Sequence, residues 1–544
     1  MTKMDAGESW LDLAAKKRAS LGNSIPLEWQ IPADLVPPET QDDVTTFPAA
    51  SGWFTDNELA ITGLSAVELL AKLASGSLTS VAVTSAFCKR AAAAHQLTNC
   101  LSEIFFDKAL ETARRLDEHF AQTGKPLGPL HGLPISLKDC FNLVGIDSTV
   151  GLTASIGKPA TEDAAIAKLL RSLGAVFYVK TNVPTSMMIA ETVNNIFGRT
   201  LNPKNRRLTC GGSSGGEAAL ILFGGSMLGV GTDLGGSLRI PAACTGIFAL
   251  RPSYGRFPAG GFRGGLQGQE TVEPVIGPLA RSLNDIEAFS KAVVSTQPWR
   301  SDPKSLPIPW REPADLLPPA ALKIGVLWHD GVVLPTPPVT RALRIVVEKL
   351  QAAGHTIINW VVGNEHACGL SILGRTFVAD GGDSVRVELE QTGEPWRPEL
   401  EYCADFEEMG CAELWQMHLE RNAFRQRYLD KWNEHGLDAL LCPTTPFSSV
   451  EHGKFRHIGY TGVFNVLDYS CVSFPSGVFV DSALDVPLAE GGESTLLSES
   501  CVAIHEGYNP DAAHGMPISL QLVARKLEEE RVIAMCKVVM DDIA

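Results

Sequence analysis

This chain of 544 residues lacks most of the features that announce a function outright. Its 12 cysteines stand singly from Cys88 to Cys536, with no C-x-x-C pair and no cysteine–histidine cluster at zinc spacing. That pattern suggests neither a disulfide framework nor a metal centre, and it fits a reducing, cytoplasmic compartment. Basic residues are outnumbered, 46 Lys and Arg against 62 Asp and Glu, and the formal charge of −16 opposes a phosphate backbone, so no nucleic-acid partner is expected. No apolar run suits a bilayer: the most apolar, ALILFGGSMLGVG at 219–231, is short and broken by glycine, so no transmembrane segment is expected. The start, MTKMDAGESWLDLAAKKRASLG, has no signal-peptide core and reads as a helix with Trp10, Leu11, Leu13 and Ala14 on one side. No repeat of fixed period occurs.

What is present is the composition of a globular protein, 45% apolar and 20% charged. After an extended stretch to about Pro48, Ser65 and Glu68 form a capping box ahead of VELLAKLAS, and a second helix starts near Thr79. LPISLKD at 133–139 and AVFYVKTN at 175–182 are short runs of strand formers separated by the helical pattern DAAIAKLLRSLG. Strand, helix, strand implies a βαβ unit with parallel pairing. FALRPSYG at 248–255 reads as another strand. Seven prolines between 297 and 319 suggest a linker, after which LKIGVLW and TRALRIVVEKLQAAG resume the alternation. ISLQLVA at 518–524 and the helix after it are expected to return to the sheet begun before residue 140.

Ligands of open α/β sheets gather at the carboxyl ends of strands, where both early strands carry a lysine, Lys138 and Lys180. The stretch from Cys210 to Ala242 that follows holds ten glycines and four serines but no histidine. It lacks G-x-x-x-x-G-K-[ST] and has no Lys or Arg between Arg207 and Arg239, which argues against a phosphate cradle. Gly211 to Gly215 satisfies G-x-S-x-G, yet the preceding NPKNRRLTC reads as a polar loop and not as the strand a nucleophile elbow requires. In GTDLGGS the glycines allow successive N–H groups to line one concavity beside Ser237, and LRIPAACTG can open a short helix after it. Ser237 is therefore the better-placed nucleophile. A lysine buried at a strand end becomes a neutral amine near pH 7 and can replace histidine as base. Residue chemistry leaves Lys138 and Lys180 open, as it does Ser213 and Ser214. His131 reads as a structural histidine beside a turn.

HGLPISLKD at 131–139, TNVPTSM at 181–187, CGGSSGGEAAL at 210–220 and GTDLGGSLRIPA at 231–242 resemble, in this order, the amidase signature family. ESWLDLAAKKRASLGNSIPLEW, ETVNNIFGRTLNP and HGMPISLQLVARKLEEERV extend the likeness over nearly the whole chain, most closely toward its fungal acetamidases. The resemblance implies one large α/β domain, its central mixed and twisted β-sheet flanked by helices on both faces. Residues 1–60 would form an N-terminal helical arm and extended segment, and 61–544 the amidase domain with the proline-rich segment inside it.

The resemblance also implies Ser237 as nucleophile, Ser213 as a second serine on a cis peptide, and Lys138 as base. Lys180 then becomes structural, and Ser214 shapes the loop. Backbone N–H groups over Leu234, Gly235, Gly236 and Ser237 would form the oxyanion hole. Met187 would either contact substrate or fill core, and Asp233 and Arg239 would be scaffold. Segments 370–420 and 443–475 are expected to shape the acyl pocket. The implied reaction is cleavage of a small or aryl primary amide, acetamide-like, to acid and ammonia, with no cofactor and no metal. An amide-forming or acyl-transfer enzyme and an inactive binding protein on the same fold are the alternatives. A homodimer is compatible with the sequence.

Overall fold

The structure, a computed structural model, describes residues 9–312, 321–488 and 496–544. The capping box forms as read: Ser65 Oγ accepts from the Glu68 N–H and the Glu68 carboxylate accepts from the Ser65 N–H, opening the helix Ala66–Ala74. Thr79 caps the next helix, Ser80–Thr98, by accepting from the Ala82 N–H.

Among the described residues, one sheet of 11 strands forms the centre of the fold. In chain order these are β1 (Leu101–Ile104), β2 (Pro134–Lys138), β3 (Val176–Thr181), β4 (Leu228–Asp233), β5 (Phe248–Arg251) and β6 (Val275–Ala280). They continue with β7 (Lys323–Val326), β8 (Thr356–Asn359), β9 (Ala439–Pro443), β10 (Ser470–Phe479) and β11 (Pro517–Ala524). Their spatial order is β1-β3-β2-β4-β6-β5-β10-β11-β9-β7-β8. β2 is parallel to β3 and to β4, and β7 to β8 and β9; every other pair is antiparallel. The expected βαβ unit is thus β2, the helix Ala165–Ser172 and β3. The far C-terminal strand β11 lies between β10 and β9 in this same sheet.

Side chains alternate across a strand, and the core divides accordingly. On β9, Ala439 and Leu441 join one hydrophobic cluster while Leu440 and Cys442 join another. On β11, Leu520 and Leu522 belong to the first and Val523 to the second. The first cluster is covered by helices that include Ser80–Thr98, Leu283–Ser295, Pro337–Ala352 and Glu529–Ile543, and the second by Glu365–Phe377, Cys411–His435 and Gly459–Leu467. Helices therefore flank both faces of a mixed sheet, as the resemblance implies.

Two expectations change. The helix Trp10–Asn23 buries Ala14 and Leu21 but leaves Leu11 57% exposed. It docks through Leu21, packed against Ile196 and Phe197, and through Lys17, paired to Glu103 and Asp147, while the extended segment behind it sends Val44, Phe47 and Phe54 into the main core. The proline-rich segment, as far as Glu312, is also not a free linker. Its Leu306 N–H donates to Gly255 O at 2.7 Å, Arg311 pairs with Glu530 at 2.7 Å, and Trp299 and Trp310 pack on the main core. Its tryptophans give it apolar area to bury, so the prolines stiffen a packed strap. Residues 313–319 of that segment lie outside the described residues.

Candidate active site

In the β2/β3 register Leu137 pairs with Lys180 and Lys138 with Thr181. Period two therefore sends the two lysines to opposite faces of the sheet. Lys138 is wholly buried, and its Nζ donates to Ser213 Oγ at 2.7 Å and to Thr232 Oγ1 at 2.7 Å. Burial lowers its pKa to about 8, against the opposing pull of Cys140, Asp233 and Glu217. Lys180 donates to Asp147 O at 2.6 Å and Ser148 Oγ at 2.8 Å, with the Asp139 carboxylate 4.0 Å away. These partners belong to a buried polar network that holds the loop after β2.

The peptide between Gly212 and Ser213 is cis. The residues before it are not the loop expected: Asn205–Thr209 forms a short strand paired with Leu201–Asn202. This hairpin stands apart from the central sheet, so the elbow geometry is still missing. After Ser213 the helix Gly215–Phe223 begins. The Ser214 N–H donates to Ser237 O at 3.2 Å, which ties the two serine loops together. Ser213 and Ser214 are buried, whereas Ser237 is partly exposed.

The turn that presents Ser237 is braced from beneath. Asp233, the last residue of β4, accepts from the Gly236 N–H at 2.8 Å and from the Leu238 N–H at 3.2 Å. Gly236 has φ +133°, and a Cβ there would overlap Thr461 Oγ1, whose hydroxyl donates to Gly235 O at 2.7 Å. Only glycine meets both conditions. The Arg239 guanidinium holds both Asp233 oxygens at 3.1 Å and also donates to Asn465 Oδ1 at 2.6 Å and Gln521 Oε1 at 3.1 Å. Burial alone would raise the Asp233 carboxyl; Arg239 beside it reverses that and brings it down to about 2. Asp233 is thus an ionised post on which the turn is strung.

These loops meet at a cavity of about 240 Å³, lined among others by Met187, Ser213, Thr232, Leu234, Ser237 and Phe262. Met187 also packs against the main core, so it belongs to both wall and core. The glycine-rich segment 259–269 supplies much of the remaining wall. Segments 370–420 and 443–475, expected to shape this pocket, do not line it: Leu373, Phe377 and Ile458 pack behind Gly235 instead. The reason is that β6 and the segment leading into it, not the second half of the chain, sit next to β4 in the sheet. His131 accepts from the Leu127 N–H at 3.1 Å and lies 5.9 Å from the Phe120 ring, outside the cavity lining. A larger cleft of about 670 Å³ opens near Gln96, Asn99 and Arg206, but its lining holds no serine, threonine, cysteine or lysine.

Sequence reasoning missed Thr232, although its place beside Asp233 at the end of β4 was visible. It also missed Asn465 and Gln521, whose signal exists only in three dimensions, and Ser186, which lines the cavity with φ +55°.

Residues 82–533 match the family profile named Amidase. The chain is 42% identical over 543 residues to an acetamidase of Emericella nidulans, covering 97% of each, and 42% identical over 544 residues to an acetamidase of Aspergillus oryzae, covering 98% of each. Among solved structures, a fatty acid amide hydrolase superposes with a TM-score of 0.93 at 35% identity, covering 98% of this chain and 95% of that one. A 6-aminohexanoate cyclic dimer hydrolase shares the fold, with a TM-score of 0.70 at 22% identity over 90% of this chain and 98% of that one. With a profile match over most of its length and relatives aligned end to end, this chain belongs to the amidase signature family of amide-hydrolysing enzymes.

Proposed function

We propose that the protein hydrolyses a small primary carboxamide to its acid and ammonia through an acyl-enzyme on Ser237. The observation that carries this reading is the 2.7 Å hydrogen bond from the buried Lys138 amine to Ser213, in a cavity that Ser213 shares with the partly exposed Ser237. With a pKa of about 8, roughly a tenth of Lys138 is a neutral amine at pH 7 and able to accept a proton.

Ser237 Oγ attacks the carbonyl carbon and gives its proton to Ser213, whose own proton passes to Lys138. The oxyanion that forms is held by the N–H groups of Leu234, Gly235 and Ser237; the N–H of Gly236 is directed at Asp233 and keeps the turn in shape. The Lys138 ammonium then returns its proton through Ser213 to the amide nitrogen, the C–N bond breaks, and ammonia leaves. Water repeats the sequence on the ester and releases the acid.

At about 240 Å³ the cavity lies below the roughly 300–1,000 Å³ of pockets that take drug-sized ligands, which suits an acetamide-sized substrate better than a long acyl chain. Acetamide hydrolysis by relatives 42% identical to this chain supports the same substrate class. The test is ammonia release by the purified protein across primary amides from acetamide to indolyl acetamide, paired with labelling by a serine-reactive phosphonate. A cutoff in acyl size is expected, and Ser237→Ala should abolish labelling. Undiminished labelling of that variant would refute the assignment.

A further inference from the structure

Ser186 combines four observations that the reaction above leaves unused. It has φ +55° and its neighbour Met187 φ +59°, two consecutive non-glycine residues in the left-handed region where such residues are uncommon. Its side chain is buried, with the residue only 1% exposed, and no group among the described residues hydrogen-bonds its Oγ, although its backbone N–H is anchored on Val150 O at 2.8 Å. It lines the same cavity as Ser213 and Ser237. Across from it stands Gly265, where a Cβ would overlap the Ser186 carbonyl oxygen and lie 2.6 Å from Ser186 Oγ. The segment 259–269 therefore closes tightly on this hydroxyl and yet offers it no hydrogen-bond partner.

Both the backbone conformation and the unpaired hydroxyl work against folding, and buried polar groups in proteins are nearly always paired. Such outliers persist where the surrounding structure imposes them, and they gather at ligand sites. A hydroxyl carries one donor and two acceptor lone pairs, so it can serve a ligand that offers an N–H.

We propose that Ser186 Oγ binds the nitrogen of the substrate carboxamide, accepting one of its N–H groups and orienting the nitrogen for protonation as the C–N bond breaks. This rests on the reading of Ser237 as nucleophile, and it makes Ser186 a substrate-binding residue that discriminates in favour of compounds bearing an amide N–H. A reagent that reaches Ser237 without an N–H gains nothing from it.

The experiment compares wild type with Ser186→Gly and Ser186→Ala in two measurements: kcat/KM for acetamide, and the second-order rate of labelling by an alkyl phosphonofluoridate, which has no N–H. The acetamide value should fall about tenfold or more, equivalent to ~1.4 kcal/mol and to one hydrogen bond, while labelling stays within about twofold. Because glycine accepts φ +55° without strain, Ser186→Gly should also melt no lower than wild type. Equal losses in both measurements, or an unchanged acetamide value, would overturn the proposal. A wild type that is never labelled would instead sink the Ser237 reading, and this one with it.

Discussion

On the proposed mechanism, the proton on Lys138 sets the pH dependence of amide hydrolysis. With a pKa of about 8, the neutral fraction of this amine falls from roughly nine-tenths at pH 9 to about one-hundredth at pH 6, so kcat/KM should drop about ninetyfold over that interval. The structure also says how to move the curve. Nζ donates to Thr232 Oγ1 at 2.7 Å, and an acceptor favours the ammonium over the amine. Thr232→Val keeps the side-chain shape and removes that acceptor. A hydrogen bond to a charged group is worth about 1.5 kcal/mol at the low end, or about one pH unit. The inflection should therefore move from near 8 to near 7, and the activity retained at pH 6, relative to the alkaline plateau, should rise about tenfold. Initial rates of ammonia release at substrate concentrations well below KM report the free enzyme and are the right assay. A flat profile from pH 6 to 9, or superposable profiles for the two proteins, would refute the assignment of Lys138 as base.

Lys180→Met should lower the melting temperature, because it strips partners from Asp147, Ser148 and Asp139, at a cost of about 3 kcal/mol for a broken buried pair; its pH inflection, measured by ammonia release, should stay with the wild type. Gly236→Ala should cost at least a hundredfold in kcat, the scale of one lost oxyanion donor, since its Cβ would overlap Thr461 Oγ1 and displace the turn. Asp233 has a folded pKa of about 2 against an ordinary 3.8, so its contribution of about 2 kcal/mol is present above pH 4 and is lost as the pH falls toward 2. Acid unfolding followed by circular dichroism should accordingly begin at higher pH in Arg239→Lys, where a single ammonium replaces the fork that holds both carboxylate oxygens.

Much of this architecture was written locally. The Ser65 and Glu68 cap and the β2, helix, β3 unit depend on residues close in the chain, and period and capping rules reach them. Choosing between Lys138 and Lys180 needed the family likeness, because burial at a strand end describes both; the β2/β3 register is what separates their faces. The small hairpin before Cys210 escaped because its strands are short and carry Asn and Arg, residues that read as loop until a partner strand is known. Ser186 escaped for a different reason: a hydroxyl is unremarkable in sequence, and only φ and burial distinguish it. The pocket wall was misplaced because strand order is a long-range property, and residues 259–269 reach the cavity through the pairing of β6 with β4.

The brace under Ser237 has a bearing on biosynthesis. Arg239 reaches Gln521, 282 residues further along the chain, and Gln521 also donates to Pro443 O and Tyr460 O. A ribosome that has delivered β1 to β10 has already released Lys138, Ser213 and Ser237, but the turn that carries Ser237 still lacks one of its supports. That support arrives only when β11 threads between two strands already in place. Hydrolytic competence should therefore wait until β11 has been made and docked, long after Lys138, Ser213 and Ser237 have themselves been synthesised.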